Sequence, residues 1–167
     1  SEDTKSIAEN AIYALYKDDQ GIIWCGTYKR GVSYYAENKM KFRLYEHKHG
    51  IEGSLPFNDV NCFAEDSKGN LWIGTNGGGL LYFDRKAQTF KQYKHSAEDD
   101  NSISNDVIVS LYTDRYDNLW IGYYFGGMDY YNHHRFAHYR HNPQDPNSLA
   151  NKTVWKIYRD RRNTFWI

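Results

Sequence analysis

The sequence predicts an all-β protein made of repeated units, each a small antiparallel sheet of four strands. The first observation is a Trp- and Gly-rich pattern that occurs three times in full and once in part, at residues 21–35, 69–84, 117–131 and 163–167. The second is a Ser-apolar pair that begins each unit, at Ser6, Ser54, Ser102 and Ser148, with spacings of 48, 48 and 46 residues. The third is an aromatic content of 17%, which favours strands. A period of this length indicates a propeller or a solenoid.

Each unit contains four short runs with β-strand character. The first runs are residues 12–16, 60–64, 108–112 and 154–158. The second runs carry the tryptophans and are residues 22–27, 71–75 and 119–123. The third runs are residues 32–35, 80–83 and 128–131, and the fourth are anchored by Phe42 and Tyr45, Phe90 and Tyr93, and Phe136 and Tyr139. No stretch keeps a helical period, so the sequence predicts the four-stranded blades of a β-propeller rather than a helical solenoid.

The connections between the runs have the chemistry of tight turns. An Asp opens the turn between the first and second runs in every unit, and Gly, Asp or Asn closes it, as turns with positive φ require. A glycine precedes each third run, at Gly31, Gly79 and Gly127. The longest connection leads into the next unit, so the first run is predicted to be the innermost strand. On this topology the linkers share one face with the turns between second and third runs, and the Asp turns lie on the other face.

The repeats divide the chain into predicted blades at residues 6–53, 54–101, 102–147 and 148–167, of which the last is incomplete. Propellers typically have four to eight blades, and an open arc would expose apolar blade faces. We therefore expect the chain to be an excerpt of a larger propeller, with seven blades in the complete ring.

Composition narrows the function classes. Lys plus Arg and Asp plus Glu are equal at 21 each, which argues against a nucleic-acid partner and against a basic membrane anchor. No apolar run approaches the roughly 20 residues of a spanning helix. Cys25 occupies the position of Ile73 and Ile121 in the other units, so we expect a small buried hydrophobe there rather than a disulfide or a reactive thiol.

The string Asp-Ser-Lys-Gly-Asn-Leu-Trp-Ile-Gly-Thr-Asn-Gly-Gly-Gly-Leu at residues 66–80, with the unit start at 102–108, resembles the two-component regulator propeller repeat. The resemblance extends from Ser6 to Ile167. It implies the periplasmic sensor region of a hybrid two-component histidine kinase of Bacteroides type, in a dimeric receptor that often detects glycan breakdown products. Its partners would be the rest of its own propeller and receptor chain. The repeat motif itself fixes no ligand residue, and we expect no cofactor and no metal.

Several repeated residues have a structural explanation. The tryptophans recur in every unit, so we expect them to pack blade against blade rather than to form a sugar platform. The turn-opening aspartates are expected to be structural rather than catalytic. The histidines at 133–141 are expected on solvated edges or loops, because no carboxylate or Cys lies at a recognised metal-ligand spacing. No nucleophile elbow, catalytic triad order or paired-carboxylate signature is present, so the sequence predicts no catalytic residues and a non-enzymatic chain.

Positions that differ between units are the candidates for function. They fall in the turn between the second and third runs, and the candidate ligand-binding residues are Tyr28, Lys29, Arg30, Asn76, Tyr123, Tyr124 and Phe125. Aromatic rings stack on sugars, and the polar groups bind hydroxyl or acidic groups. The leading hypothesis is a sensor of a glycan-derived oligosaccharide. The alternatives are a structural or protein-interaction propeller, where these aromatics pack on a blade or another subunit, and, third, a propeller lyase or hydrolase.

Overall fold

The computed structural model describes residue 7 and residues 11–36 and 43–167, and these residues form strands and turns only. The predicted all-β class is confirmed. Across this described part of the chain, nothing helical reaches the length and hydrophobicity that crossing a membrane demands. The predicted anchor Phe42 and the unit start Ser6 lie outside the described residues.

Three antiparallel sheets of four strands follow one another along the chain, each with its strands in sequence order. The first contains β1 (Ile12–Lys17), β2 (Ile23–Thr27), β3 (Val32–Tyr35) and β4 (Arg43–Tyr45). The second contains β5 (Val60–Glu65), β6 (Leu71–Thr75), β7 (Leu80–Asp84) and β8 (Thr89–Tyr93). The third contains β9 (Ile108–Thr113), β10 (Leu119–Tyr123), β11 (Met128–Tyr131) and β12 (Phe136–Tyr139). Two short strands, β13 (Tyr158–Arg159) and β14 (Phe165–Trp166), pair with each other.

The three sheets are the predicted blades, and each packs on the next. Strands β1, β5 and β9 contact one another in succession, and the Asn61 side-chain amide donates to the Ile108 carbonyl at 2.9 Å. This arrangement agrees with the prediction that the first strand of each blade is innermost. Each sheet also lies within its predicted range, although the boundaries at 6–53, 54–101 and 102–147 stay predictions.

One predicted strand is mostly absent from the structure. The run 154–158 was expected to be the first strand of the fourth unit, but only Tyr158 belongs to a strand. The N–H of Val154 donates instead to the Tyr123 carbonyl at 2.9 Å, and the N–H of Ile157 donates to the Ser110 hydroxyl at 2.9 Å. In the second blade the equivalent residues Val60 and Cys62 pair with Thr75 and Gly74, whose counterparts would follow Ile167. Within this sequence Tyr158 and Arg159 have partners, which lie in β14.

The hydrophobic core lies between blades. Three clusters of buried residues occupy the successive interfaces, and a tryptophan contributes to each. Trp24 meets Phe83 of the next blade with ring centroids 6.2 Å apart, and Trp72 meets Tyr131 at 5.8 Å. Trp120 meets Phe165 at 4.7 Å. The prediction of blade-to-blade packing is confirmed for these three, and each fully buried apolar side chain contributes about 1.5–3 kcal/mol.

The Asp turns are also structural, as predicted. In each turn one carboxylate oxygen accepts the backbone N–H groups two and four residues further on, at 2.8–3.0 Å. In the first and last units the other oxygen accepts the indole N–H of Trp24 or Trp166, at 2.9 and 3.0 Å. These carboxylates are therefore occupied by the turns they open.

Candidate ligand-binding rim

Backbone hydrogen bonds between blades gather the variable turns on one edge of the structure. The N–H of Gly31 donates to the Asn58 carbonyl at 2.8 Å, and the N–H of Gly79 donates to the Asp106 carbonyl at 3.0 Å. We define the linker rim as the turns and inner-strand starts that such bonds connect: residues 28–31, 58–61, 76–79, 106–109, 124–127 and 152–155. The rim contains every predicted site residue except Tyr123.

Glycine is required where these turns approach the outer strand. At Gly79 the φ angle is +77°, and a Cβ would lie 2.2 Å from the Tyr93 carbonyl oxygen. Gly31 and Gly127 have the same conformation, with φ of +83° and +80°. The repeated glycine therefore lets each turn pass directly over its own fourth strand, which holds the preceding residues on the rim.

The rim is continuous from the second blade to the fourth unit. Asn76 forms a β-bridge with Val107, and the N–H of Tyr124 donates to the Val107 carbonyl at 3.1 Å on the other side. The Thr153 hydroxyl then donates to the Tyr124 carbonyl. Because adjacent hydrogen-bonded strands lie about 4.8 Å apart, Asn76 and Tyr124 are separated by about 10 Å.

An exposed aromatic group occupies one end of the rim. Tyr124 is 41% exposed and Phe125 55% exposed, with ring centroids 4.7 Å apart. The ring of Tyr124 also meets that of Trp155 at 5.4 Å, and Trp155 is 65% exposed. We call Tyr124, Phe125 and Trp155 the aromatic cluster. Two of its members were predicted, and Trp155 was missed.

The first-blade turn carries the other predicted residues. The half-buried ring of Tyr28 packs on Tyr13 at 5.3 Å. The Lys29 ammonium group lies 4.5 Å from the centroid of the Tyr28 ring, and Arg30 is exposed beside it. This end of the rim therefore combines ring surface with positive charge.

Bulged residues explain why sequence comparison of the turns missed Trp155. In each complete blade the ladder between the first and second strands shifts register at one residue, Tyr13, Asn61 or Val109. Trp155 occupies the equivalent position in the fourth unit. A bulge leaves one residue unpaired and redirects its side chain. The signal in the sequence was the change from Tyr to Asn, Val and Trp directly after a position that is always Ile or Val.

Tyr123 does not belong to the accessible site. It is fully buried, and its hydroxyl donates to the Asp129 carboxylate at 2.6 Å. Burial and the neighbouring Asp129 charge raise the pKa of Tyr123 well above its usual value. The equivalent Thr27 and Thr75 are also fully buried. The prediction that Tyr123 contacts a ligand is corrected: its side chain belongs to the buried cluster between the second and third blades.

In the second blade the rim is polar. Asn76 is exposed, and its backbone N–H donates to the Asp59 carbonyl at 2.9 Å. The Asn76 side-chain amide also donates to Oδ2 of Asp59, at 3.1 Å. Asp59 itself is 9% exposed, and its Oδ1 is buried without a hydrogen-bond partner among the described residues. Sequence comparison missed Asp59 because it lies before the inner strand rather than in the turn.

A second polar group lies beneath the third blade's linker. The Nδ1 atom of His138 is 2.7 Å from Oδ1 of Asp129, and the Ser104 hydroxyl donates to the same oxygen at 2.7 Å. The Ser104 hydroxyl is also 3.0 Å from Nδ1 of His138, and His138 Nε2 lies 3.0 Å from the Asp100 carbonyl. In a catalytic triad the serine and the carboxylate contact opposite ring nitrogens. Here both contact Nδ1, so the arrangement orders the linker and does not activate the serine.

The two thiols are unsuited to nucleophilic chemistry. Cys25 is buried, as predicted, and burial raises the pKa of its thiol. Burial also raises the pKa of Cys62 to about 12. Among the described residues no group of three His, Cys, Asp or Glu side chains is placed to hold a metal ion.

The pattern of the repeats is matched by a known family. The family described as two component regulator propeller matches residues 6–29, 54–77 and 102–125. The three matched segments are similar to two component regulator propeller repeats. A search of curated protein sequences found no significant match.

Solved structures share the fold of this chain. The extracellular domain named for the hybrid two component system BT3049 of B. thetaiotaomicron superposes with a TM-score of 0.77 at 22% identity, covering 91% of this chain and 21% of that chain. The corresponding domain named for BT4673 has a TM-score of 0.76 at 25% identity, covering 98% and 21%. Virginiamycin B lyase from Staphylococcus aureus has a TM-score of 0.65 at 15% identity, covering 93% and 48%.

These comparisons define the setting of the chain. This chain spans about a fifth of the length of the two B. thetaiotaomicron domains, so the fold is that of an excerpt of a larger propeller structure. The matched structures are extracellular domains of hybrid two component systems, which agrees with the predicted periplasmic sensor region. The lyase shares the fold alone, so the fold does not by itself separate sensing from catalysis.

Proposed function

We propose that this regulator propeller segment senses a glycan-derived oligosaccharide through its linker rim. The observation that carries the proposal is the exposed aromatic cluster of Tyr124, Phe125 and Trp155, with Asn76 about 10 Å away along the same rim. Sugars present apolar C–H faces together with hydroxyl groups. A site for them therefore combines ring surface with a few polar groups that fix orientation.

The chemistry of the rim supports this proposal over a core-packing role. The repeat scaffold does not need aromatic side chains at these positions, because the second blade has Asn76 and Gly77 where the third has Tyr124 and Phe125. Tyr124 and Phe125 remain 41% and 55% exposed and contact each other, so they form a patch rather than scattered surface residues. Such patches are typical of binding sites.

We propose that the segment binds its ligand without chemical conversion. The serine, histidine and carboxylate that lie together, Ser104, His138 and Asp129, are mutually hydrogen-bonded in a way that leaves the serine unactivated. The turn carboxylates accept backbone N–H groups instead of facing a cleft. In the intact receptor we propose a homodimer whose histidine kinase region responds to the bound sugar.

The test is sugar binding by the intact protein, measured by calorimetry and by a glycan array. Tyr124→Ala and Trp155→Ala should each weaken binding by about fivefold or more, since each removes stacking surface worth about 1 kcal/mol or above. Tyr116→Ala is the matched control, because Tyr116 is 68% exposed but lies in an Asp turn, on the opposite face. It should bind as the wild type does.

A protein-interaction propeller is the second candidate, because the same exposed aromatic cluster would also suit a protein surface. Phe125 and Trp155 are more than half exposed, as interface anchors are before association. Absence of sugar binding, together with a stable complex that Tyr124→Ala and Trp155→Ala disrupt and Tyr116→Ala does not, would favour this function over sensing.

A further inference from the structure

A cavity opens between the first and second blades, on the face that carries the Asp turns and opposite the linker rim. Its volume is about 340 Å³, which lies within the range of small-molecule sites. The walls come from the Asp turns of both blades, from strands of the first blade and from the hairpin between β7 and β8. The lining residues that decide its chemistry are Gln20, Lys68, Gly69, Arg85 and Lys86.

Comparison with the next blade interface shows why the cavity is open. Between the second and third blades, Asp117 takes the position of Gly69. Its carboxylate accepts the N–H of Ser67 at 2.8 Å and also the Ser67 hydroxyl, and this bridge joins the two Asp turns. Gly69 has no side chain for such a bridge. An added Cβ would lie 3.6 Å from Nη1 of Arg85 and from Nε2 of Gln20, so both nitrogens lie beside the space that Gly69 leaves.

Positive charge lines this cavity. Its walls include Lys68, Arg85 and Lys86 and, among the described residues, no carboxylate. Asp18 and Glu65 lie behind Arg85 and take up its charge, at 2.9 and 3.3 Å. Lys68 and Lys86 are exposed, and within the described part of the chain neither forms an ion pair. The charges of these two lysines are therefore available to a ligand.

The carboxylates around the cavity have donors of their own. Asp18 accepts an indole N–H at 2.9 Å, and Glu65 accepts a tyrosine hydroxyl at 2.8 Å. Asp84, on the β7–β8 hairpin, accepts two backbone N–H groups at 2.8 and 2.9 Å. Asp19 is exposed on the first Asp turn and does not line the cavity. A ligand inside therefore meets the cationic and amide groups rather than these carboxylates.

The repeats show that the blade does not need either lysine. At the turn position of Lys68 the other units have Gln, Tyr and Arg. At the hairpin position of Lys86 the third blade has His134, whose N–H is bound by Asn132 at 3.1 Å, as the N–H of Lys86 is bound by Asp84 at 2.9 Å. The scaffold accepts other residues at both positions, so the meeting of two lysines at one cavity indicates a role of their own.

We propose that this cavity binds a small multivalent oxyanion, such as phosphate, sulfate or citrate. The ammonium groups of Lys68 and Lys86 bind its charged oxygens, as lysines do at phosphate sites. The Gln20 amide N–H₂ donates to the same ligand. Arg85 positions this amide, because its Nη2 donates to Oε1 of Gln20 at 3.1 Å. The site lies on the face opposite the rim and goes beyond the proposed function.

Calorimetric titration of the intact protein with sodium phosphate, sulfate and citrate tests the site, at about pH 7.5 and an ionic strength held constant with sodium chloride. At least one of the three anions should bind. Lys68→Gln and Lys86→Gln should each weaken binding by about fivefold, and the double variant by about 25-fold, since each removes one charge contact. Arg115→Gln is the matched control: it removes an exposed cation from the Asp turn of the third blade and should bind as the wild type does.

A substitution at Gly69 tests the cavity itself. Gly69→Asp introduces the residue found at Asp117 and sets a negative charge in the space, so binding should weaken by about tenfold or more. Gly69→Asn has the same size without the charge and should lose less. Asp and Asn both tolerate the φ of +78° at this position. Wild-type affinity in Gly69→Asp would overturn the proposal.

The remaining outcomes are equally decisive. Failure of all three anions to bind, or full binding by the double lysine variant, refutes the site. If poly-glutamate binds and the small anions do not, and the double variant abolishes this binding, the ligand is a polypeptide and the inference as stated is wrong. Tyr124→Ala, on the rim, should leave anion binding unchanged, so failure of the sensing function and failure of this site can be told apart.

Discussion

At the residue scale, His138 connects a linker to the interior of the third blade. Burial alone would lower the pKa of this imidazole, but its hydrogen bonds to the Asp100 carbonyl and the Asp129 carboxylate outweigh burial, and the pKa is raised above 6.5. The nearby Arg140 charge opposes the effect. Both ring nitrogens meet acceptors, at 2.7 and 3.0 Å, so the doubly protonated ring fits this site best.

We therefore predict a pH-dependent contribution of His138 to stability. A folded pKa above the unfolded value means that the contribution is complete below about pH 6.5 and is lost as the pH rises through the folded pKa. The Tm difference between wild type and His138→Gln should be larger at pH 5.5 than at pH 8.5. His134→Gln, at an exposed histidine of the same hairpin, is the control. A difference that stays constant over this range would contradict the prediction.

The sequence predicted only some of the residues that lie on the rim. Tyr124 and Phe125 stood out because they replace Asn76 and Gly77 in a matching turn. Tyr123 stood out equally, yet its side chain points inward, because a strand alternates faces from one residue to the next. Asp59 could not be found by pattern, since a missing hydrogen-bond donor is a property of the folded surroundings.

The hydrogen bonds of the histidines also could not be predicted from the sequence pattern. The histidines at 133–141 were expected on solvated edges or loops, and part of the expectation holds, since His133 and His134 are exposed. However, Nδ1 of His47, His95 and His141 meets a linker carbonyl at 3.0, 2.8 and 2.6 Å. These three share one position in successive units, and only the contact across eight residues reveals their common role in shaping the linker.

At the element scale, the blade is defined by turns that need particular residues. The Trp strand, the Asp turn and the glycine turn recur in register, so a 46–48 residue period was enough to predict four strands per blade. Residues 154–157 form no strand within this sequence, because the counterparts of their partners Gly74 and Thr75 would follow Ile167. A repeat in sequence predicts which strands are possible, whereas pairing partners decide which of them form.

The glycine turn gives a prediction with an internal control. Gly79 and Gly53 have nearly the same φ, +77° and +79°, but a Cβ would lie 2.2 Å from the Tyr93 carbonyl at Gly79 and would meet nothing within 4 Å at Gly53. Gly53→Ala should cost only the strain of a left-handed conformation, about 1–2 kcal/mol. Gly79→Ala adds a backbone clash and should cost about 3 kcal/mol or more. Urea denaturation of both variants measures the difference, and equal losses would refute the role of the close approach.

At the scale of the whole molecule, stability resides between blades rather than within them. Each described core cluster joins residues of adjacent units, so a blade alone would expose its apolar faces. Each blade is therefore stabilised mainly by its contacts with the adjacent blades, as in other repeat proteins. Polar contacts between two blades are therefore expected to contribute more to stability than equivalent contacts on the surface of one blade.

Arg85 is the strongest such polar contact among the described residues. Its guanidinium lies 2.9 Å from Asp18 of the first blade and 3.3 Å from Glu65 of its own blade, with 13% of the Arg85 side chain exposed and none of that of Asp18. It also donates to the Gln20 side chain at 3.1 Å. Two carboxylates of different blades thus depend on one cation.

Removal of this cation should loosen the interface between the first two blades. Arg85→Met keeps much of the side-chain volume but leaves Asp18 and Glu65 without their countercharge, and loss of one partner of a buried ion pair typically costs about 3–5 kcal/mol. Lys86→Met is the matched control, because Lys86 is adjacent to Arg85 but exposed to solvent. Its substitution should change the free energy of unfolding by less than about 0.5 kcal/mol. Urea denaturation should show the loss for Arg85→Met, together with faster hydrogen exchange in β1 and β5, the inner strands of the two blades. Equal urea midpoints for the two variants would mean that apolar packing alone holds these blades together.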